Sequence, residues 1–234
     1  MISIIGSGNV ATHLFKALGG KTQVELIEPH SLKGLNLNSE LIILAVADEA
    51  ISQILPKLKE TSSIIVHTSG SVDMECLKEK NREYGVLYPL QTFSKNLEMN
   101  YDDIPFFIEA SSPSVEDKLK DIASLITKNV RYANSQARKQ LHLASVFACN
   151  FTNALAGVAK ELLSETDIEF SVFMPLLRQT VEKLKYLSPK EAQTGPAIRN
   201  DRKIIRAHLD MLGKEPELKA LYELLTKRIQ HEKL

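Results

Sequence analysis

Cysteine is scarce in this chain of 234 residues: Cys76 and Cys149 are its whole supply, and they stand in no metal or redox spacing. A disulfide framework and a metal site are therefore not expected, and a reducing, cytoplasmic location is. Net charge is absent too, because 29 Lys and Arg offset 29 Asp and Glu. Nucleic-acid affinity comes mainly from clustered, uncompensated Lys and Arg, so no nucleic-acid partner is expected. No apolar run in the sequence reaches the ~18 residues of a membrane span, and no membrane partner is expected. The first residues, Met-Ile-Ser-Ile-Ile-Gly, show neither the basic region nor the cleavage site of a signal peptide. What remains is an ordinary composition, 44% hydrophobic and 25% charged, sufficient for one or two cored domains.

The first 132 residues alternate short β-branched runs with amphipathic stretches. Strands are expected at Ile2–Ile5, Val24–Ile27, Leu41–Val46, Ile64–His67, Val86–Tyr88, Phe106–Ile108 and Val130–Tyr132. Helical patterns lie between several of them, at Glu49–Lys59, Met74–Glu83 and Val115–Thr127. A continuous run such as Leu41-Ile-Ile-Leu-Ala-Val46 fits a strand covered on both faces, which is the parallel-sheet signature. The alternation implies an α/β, doubly wound, mainly parallel sheet. From Ser135 the strand signal stops. Gln136 to about Leu163 keeps helical periodicity for roughly 42 Å at 1.5 Å per residue. Ser188-Pro-Lys-Glu191 is a capping box, and Glu215-Pro216 opens a last helix. Two domains follow, residues 1–134 and an all-helical 135–234.

Gly6-Ser7-Gly8-Asn9-Val10-Ala11 stands after a strand and opens a helix. Gly6 permits the tight turn, Gly8 lets backbone approach a pyrophosphate, and Ala11 lets helix pack on strand. Free N–H groups and the positive helix end complete a phosphate site. Glu28, 20 residues after Gly8, suits an adenosine ribose, whereas His30 and Lys33 suit a 2′-phosphate. Ligands of such sheets lie beyond the carboxyl ends of the strands. Those exits carry Ala47-Asp48, His67-Thr68-Ser69-Gly70 and Pro89-Leu90-Gln91-Thr92-Phe93. They are candidates for a nicotinamide-sized cleft, with His67 able to titrate near neutral pH.

Along the long helix His142, Val146, Asn150 and Asn153 share a face, with Lys139 one turn earlier. Such a polar stripe inside an apolar helix costs burial energy unless it meets a wet cleft. Thr194-Gly-Pro-Ala-Ile-Arg199, with Asp201, forms a second polar concentration. Its plain alternative is an Asp201 helix cap beside a surface arginine.

Five motifs in order carry a resemblance over nearly the whole chain. They are Gly6-Ser-Gly-Asn-Val-Ala11, His67-Thr-Ser-Gly70, Tyr88-Pro-Leu-Gln-Thr-Phe93, Leu141-His-Leu-Ala144 with Cys149-Asn-Phe151, and Thr194-Gly-Pro-Ala-Ile-Arg199 with Asp201. The chain resembles the bacterial family assigned as Rossmann-type NADP oxidoreductases with a helical C-terminal domain of unknown function. That family looks related to ketopantoate reductase, pyrroline-5-carboxylate reductase and 6-phosphogluconate dehydrogenase. The resemblance implies a Rossmann-like domain followed by a helical domain like the C-terminal one of 6-phosphogluconate dehydrogenase. It also implies a homodimer formed through the helical domain. Two departures stand out. Ile27-Glu-Pro-His-Ser31 replaces the family's Ser-Arg-Thr-like segment. Related β-hydroxyacid dehydrogenases use a Lys and an Asn on the first long helix, where this chain has His142 and Asn150.

The expectation is an NADP- or NAD-dependent oxidoreductase moving a hydride to or from a small carbonyl, imine or hydroxy-acid substrate. His142 is the first acid–base candidate, with Lys139 and His67 as alternatives and Asn150 orienting the substrate. Gln91, Thr194, Arg199 and Asp201 are substrate-binding candidates, with Arg199 or Lys139 holding a carboxylate. The cofactor candidates are Gly6, Ser7, Gly8, Asn9, Val10, Glu28, Ala47, Asp48, His67, Thr68 and Ser69. A non-catalytic dinucleotide sensor or scaffold is the alternative. A methyltransferase is disfavoured by Ile5 and by the all-helical second half.

Overall fold

The computed structural model describes residues 1–32, 37–59 and 61–231. Seven strands are present: β1 (Ile2–Ile5), β2 (Val24–Ile27), β3 (Leu41–Leu44), β4 (Ile64–His67), β5 (Tyr84–Pro89), β6 (Phe106–Ala110) and β7 (Val130–Tyr132). They form one sheet in the order β2-β1-β3-β4-β5-β6-β7. The first five are parallel, β6 runs antiparallel to β5, and β7 is parallel to β6. This is the expected Rossmann-like, doubly wound, mainly parallel sheet.

Strand β3 shows why the pattern folds this way. Its four residues are all buried, and they alternate between two cores. Leu41 and Ile43 join Leu14 and Leu18 of α1 (Asn9–Leu18) and Leu119 of α3 (Pro113–Ile126) on one face. Ile42 and Leu44 join Ile51 and Ile54 of α2 (Asp48–Ile54) on the other. A strand that feeds two cores needs an unbroken apolar run.

The connections are leaner than the sequence pattern suggests. The helix expected over Met74–Glu83 is a single 3₁₀ turn, Met74–Leu77, capped by Asp73, whose carboxylate accepts from Glu75 N. Pro56 stands in the 3₁₀ turn Leu55–Lys57 that ends α2. Between β2 and β3 the described residues hold one 3₁₀ turn, Pro29–Leu32. Lys33 lies outside the described residues.

After β7 come α4 (Ser135–Ser145), a π-helical turn (Val146–Asn150) and α5 (Phe151–Leu162). This 28-residue stretch has an apolar 18-residue window, of mean hydropathy 1.3, none of which is buried. By length and composition it is sufficient to cross a membrane, against the expectation from the length of unbroken apolar runs. The chain divides into compact units Met1–Leu155 and Ala156–Leu234, so α4 belongs with the sheet, although the helical character begins at 135.

The second unit contains α6 (Met174–Lys183), the short α7 (Pro189–Ala192) and α8 (Pro196–Arg199), α9 (Arg202–Met211) and α10 (Pro216–His231). Pro175 sits in the first turn of α6, where its missing N–H costs nothing. Both halves of the Ser188–Glu191 capping box are formed.

Ile43 lies at the centre of the sheet with no exposed surface. Ile43→Ala is expected to lower unfolding free energy by about 3 kcal/mol, within the usual range for a buried Ile truncation, as read by urea denaturation.

Candidate active site

Order reverses beside β1, where β2 lies on one side and β3 on the other. Such a switch point leaves a crevice beyond the carboxyl ends of the two flanking strands. Gly6 fills the first position after β1, donating to Ile27 O at 3.0 Å, while Ala45 N donates to Ile5 O at 2.9 Å. A Cβ on Gly6 would stand 2.1 Å from Ala45 O, so no other residue fits this crossing. Gly8 is different. Its backbone is extended (φ −82°, ψ −174°), and a Cβ there would meet nothing within 4 Å. Glycine at this position leaves open space above the start of α1, which has no side-chain cap and no acidic residue in its first turn.

That space belongs to a cavity of about 960 Å³. Ser7, Gly8, Asn9 and Val10 line one part of it, and Ala47, Asp48, Thr68, Ser69 and Gln91 line the strand exits. His142, Ser145, Cys149 and Asn150 of the long helical stretch complete it, together with Tyr88. All the lining residues lie in the first unit, and among the described residues none of them is a lysine or arginine. In a regular α-helix Asn150 would lie about 80° round from His142. The π-helical turn adds a residue in between and keeps both on the cavity.

The loop after β5 is fastened to α1 by side chains. Asn9 Nδ2 donates to Phe93 O at 2.8 Å, and Lys16 Nζ to Lys95 O at 3.0 Å. His13, buried on the same helix, stacks on Phe93 and contacts Tyr101 Oη and Ser94 O at 2.8 and 2.9 Å. On the other side Ser71 donates to Asp48, which keeps the ends of β3 and β4 together.

The expected residues outside the lining have other partners. His67 is buried at the end of β4; its Nδ1 accepts from Ser69 N at 3.2 Å, and its Nε2 has no partner among the described residues. Burial first, and the Arg138 guanidinium second, push its pKa down to about 4. It is neutral at pH 7 and does not reach the cavity lining, so the acid–base role considered for it lapses. Lys139 pairs with Asp73 at 3.2 Å on the surface. Glu28 lies just beyond β2 and pairs with His30 at 3.3 Å, both well exposed. In the second unit Asp201 caps α9, accepting from Ile204 N at 3.2 Å, which is the plain alternative for that residue. Arg199 ends α8, and Thr194 precedes Gly195, which stands at a positive φ of 105°.

Arg138, its partner Glu109 and Tyr88 escaped the sequence reading. Arg138 is fully buried and binds Glu109 of β6 at 2.9 Å and Val72 O at 2.8 Å. Tyr88 Oη lies 3.1 Å from His142 Nδ1. The available signal was spacing: Arg138, His142, Ser145 and Cys149 follow the i, i+4, i+7, i+11 face of one helix.

The comparisons bear on this geometry. A family model described as "Domain of unknown function (DUF2520)" matches residues 104–229. The chain is 41% identical to a Bacteroides fragilis protein whose crystal structure is described as that of a candidate NADP oxidoreductase. That match covers 98% of this chain and 97% of the other, with a TM-score of 0.90. The chain belongs to the DUF2520 family. A Thermotoga maritima protein shares the fold at 20% identity and TM-score 0.76, over 100% of this chain and 98% of its own. So does a reductive aminase from Aspergillus terreus, solved with NADPH and ethyl-5-oxohexanoate, at 11% identity and TM-score 0.74, over 99% and 93%. No curated protein matches in sequence.

His67 sets a pH dependence. A histidine whose folded pKa is depressed binds fewer protons folded than unfolded, so stability rises with pH across the interval. Stability is complete above the unfolded value near 6.5 and is lost as pH falls towards about 4. The total loss is roughly 3 kcal/mol at 1.36 kcal/mol per pKa unit. His67→Asn retains an acceptor for Ser69 N and is expected to flatten that slope, measured by urea melts from pH 7 to 4.

Proposed function

We propose that the chain is an NADP(H)-dependent oxidoreductase acting on a small carbonyl or imine compound. One observation carries the reading: a single cavity joins the open start of α1 to His142 and Asn150 on the long helical stretch. The description of the Bacteroides fragilis relative supports the same cofactor class.

The residues suit a dinucleotide. The space a Gly8 Cβ would fill, above an uncapped and acid-free helix start, accommodates a pyrophosphate held by backbone N–H groups. Glu28 would accept from an adenosine ribose hydroxyl, and His30 beside it would be the partner for a 2′-phosphate. When bound, the cofactor supplies the hydride chemistry. The chain supplies the rest. Thr68, Ser69 and Gln91 orient the reacting groups, Asn150 holds the substrate heteroatom, and His142 donates the proton. Among the described residues His142 Nε2 has no hydrogen-bond partner, and it is not one of the buried unpartnered atoms, so it is open. A positioned acid of this kind contributes about 10²–10⁴-fold. That no described lining residue is Lys or Arg favours a carbonyl or imine over a hydroxy acid, whose carboxylate needs a cationic partner.

The partner is a second copy. Among the described residues of Ala156–Leu234 only Ala197 is buried. Leu143, Phe147, Leu162, Leu176 and Val181 each leave more than half of their surface exposed. Isolated helices with so little burial are marginal, and a homodimer through this region covers the apolar stripes.

Two measurements test the reading. NADPH at 100 times its dissociation constant is expected to add about 2.7 kcal/mol of stability, seen as a raised melting temperature. Gly8→Asp is expected to remove the shift and keep the fold; if neither NADPH nor NADH shifts the wild type, the cofactor assignment fails. Light scattering is expected to give twice the mass of one chain. A monomer at micromolar concentration, or a chain that needs detergent, overturns the dimer.

A further inference from the structure

Tyr88 is a buried residue of the cavity lining. It is 8% exposed, and burial raises the pKa of its phenol, which therefore stays protonated. A buried O–H must find an acceptor, because an unsatisfied donor costs about 1–3 kcal/mol. Tyr88 Oη lies 3.1 Å from His142 Nδ1, and the Ser145 hydroxyl also faces the phenol. Ser145, one turn along the helix, gives its own proton to His142 O at 2.7 Å. If Nδ1 carried a proton it would donate to the phenol oxygen, and the phenol hydrogen would lose this acceptor.

Gly70 adds an independent constraint. A Cβ there would stand 2.6 Å from His142 Nδ1 and 2.8 Å from Cγ, so the imidazole lies flush against backbone that only glycine provides. The ring meets Tyr88 edge-on at an interplanar angle of 73°. Contact with Gly70 and Tyr88 on the Nδ1 side leaves Nε2 as the open nitrogen.

We propose that Tyr88 is a positioning residue that holds neutral His142 in the tautomer with its proton on Nε2, open to the cavity. Which ring nitrogen carries the proton is set by the hydrogen bond that the other one makes. The catalytic consequence, which rests on the oxidoreductase reading, is a donor aimed in advance at the substrate heteroatom. With the cofactor bound, the Nε2 proton would be the one offered to the substrate heteroatom as charge develops on it, water in the cavity would return a proton to Nε2, and the Tyr88 phenol would stay protonated throughout.

The tautomer can be read without cofactor or substrate. In full-length protein labelled with ¹⁵N-histidine, long-range proton–nitrogen correlation at pH 7.5 separates the two tautomers, and loss of one of the six patterns in His142→Gln assigns the residue. The wild type is expected to show an acceptor-type Nδ1 and a protonated Nε2. Tyr88→Phe, which keeps the ring, is expected to shift Nδ1 towards the averaged position of a free imidazole. Ser145→Ala is expected to leave the pattern unchanged. A wild-type proton on Nδ1, an unchanged pattern in Tyr88→Phe, or a shift in Ser145→Ala equal to that in Tyr88→Phe overturns the proposal. Failure of the NADPH melting shift overturns the oxidoreductase reading instead, so the two outcomes stay separate.

Discussion

The buried ion pair between Arg138 and Glu109 is the constraint on which the candidate site depends. Arg138 is wholly buried, and Glu109, on β6, is 6% exposed. Glu109 also accepts from Ser135 N at 2.7 Å and Ser135 Oγ at 2.8 Å, so one carboxylate holds both the start of α4 and its first buried side chain. The guanidinium continues to Val72 O and Ser69 O, in the loop after β4. Burying two charges costs several kcal/mol each, and their attraction only roughly repays it. Removing one partner leaves the other uncompensated, so the pair fixes geometry more than it adds stability. That geometry sets His142, one turn beyond Arg138, against Gly70 and Tyr88.

The same arrangement assigns different roles to two histidines. His67 ends a central strand, beneath the loop, and feels the guanidinium nearby; burial and that charge both oppose its protonation. His142 comes from a helix laid over the strand ends, with one nitrogen engaged and the other open. Residue type alone does not separate them. At His67 desolvation decides, because it acts on the charged form and leaves the neutral ring comfortable.

The helical half has the opposite problem. Its sequence is apolar enough for a core, yet the window inside Ser135–Leu162 has no buried residue. Exposed apolar area of this kind drives association at about 25 cal/mol per Å² removed from water. A second copy of the chain is the occupant proposed here.

Local sequence determined a good deal. The β-branched runs, the strand–glycine–helix start and the capping box depend on neighbours a few residues away, and periodicity and turn chemistry report such neighbours. So Gly6–Ala11 and the seven strands were legible, as was the polar character around His142 and Asn150. Tertiary structure alone decided the rest. It turned Met74–Glu83 from a helix pattern into one turn, and it paired Arg138 with a carboxylate 29 residues earlier. It also brought Tyr88 to His142 across 54 residues. Contacts between distant segments depend on strand order and crossover, and desolvation depends on everything packed around a group. Neither quantity is written in the spacing of any one stretch of chain.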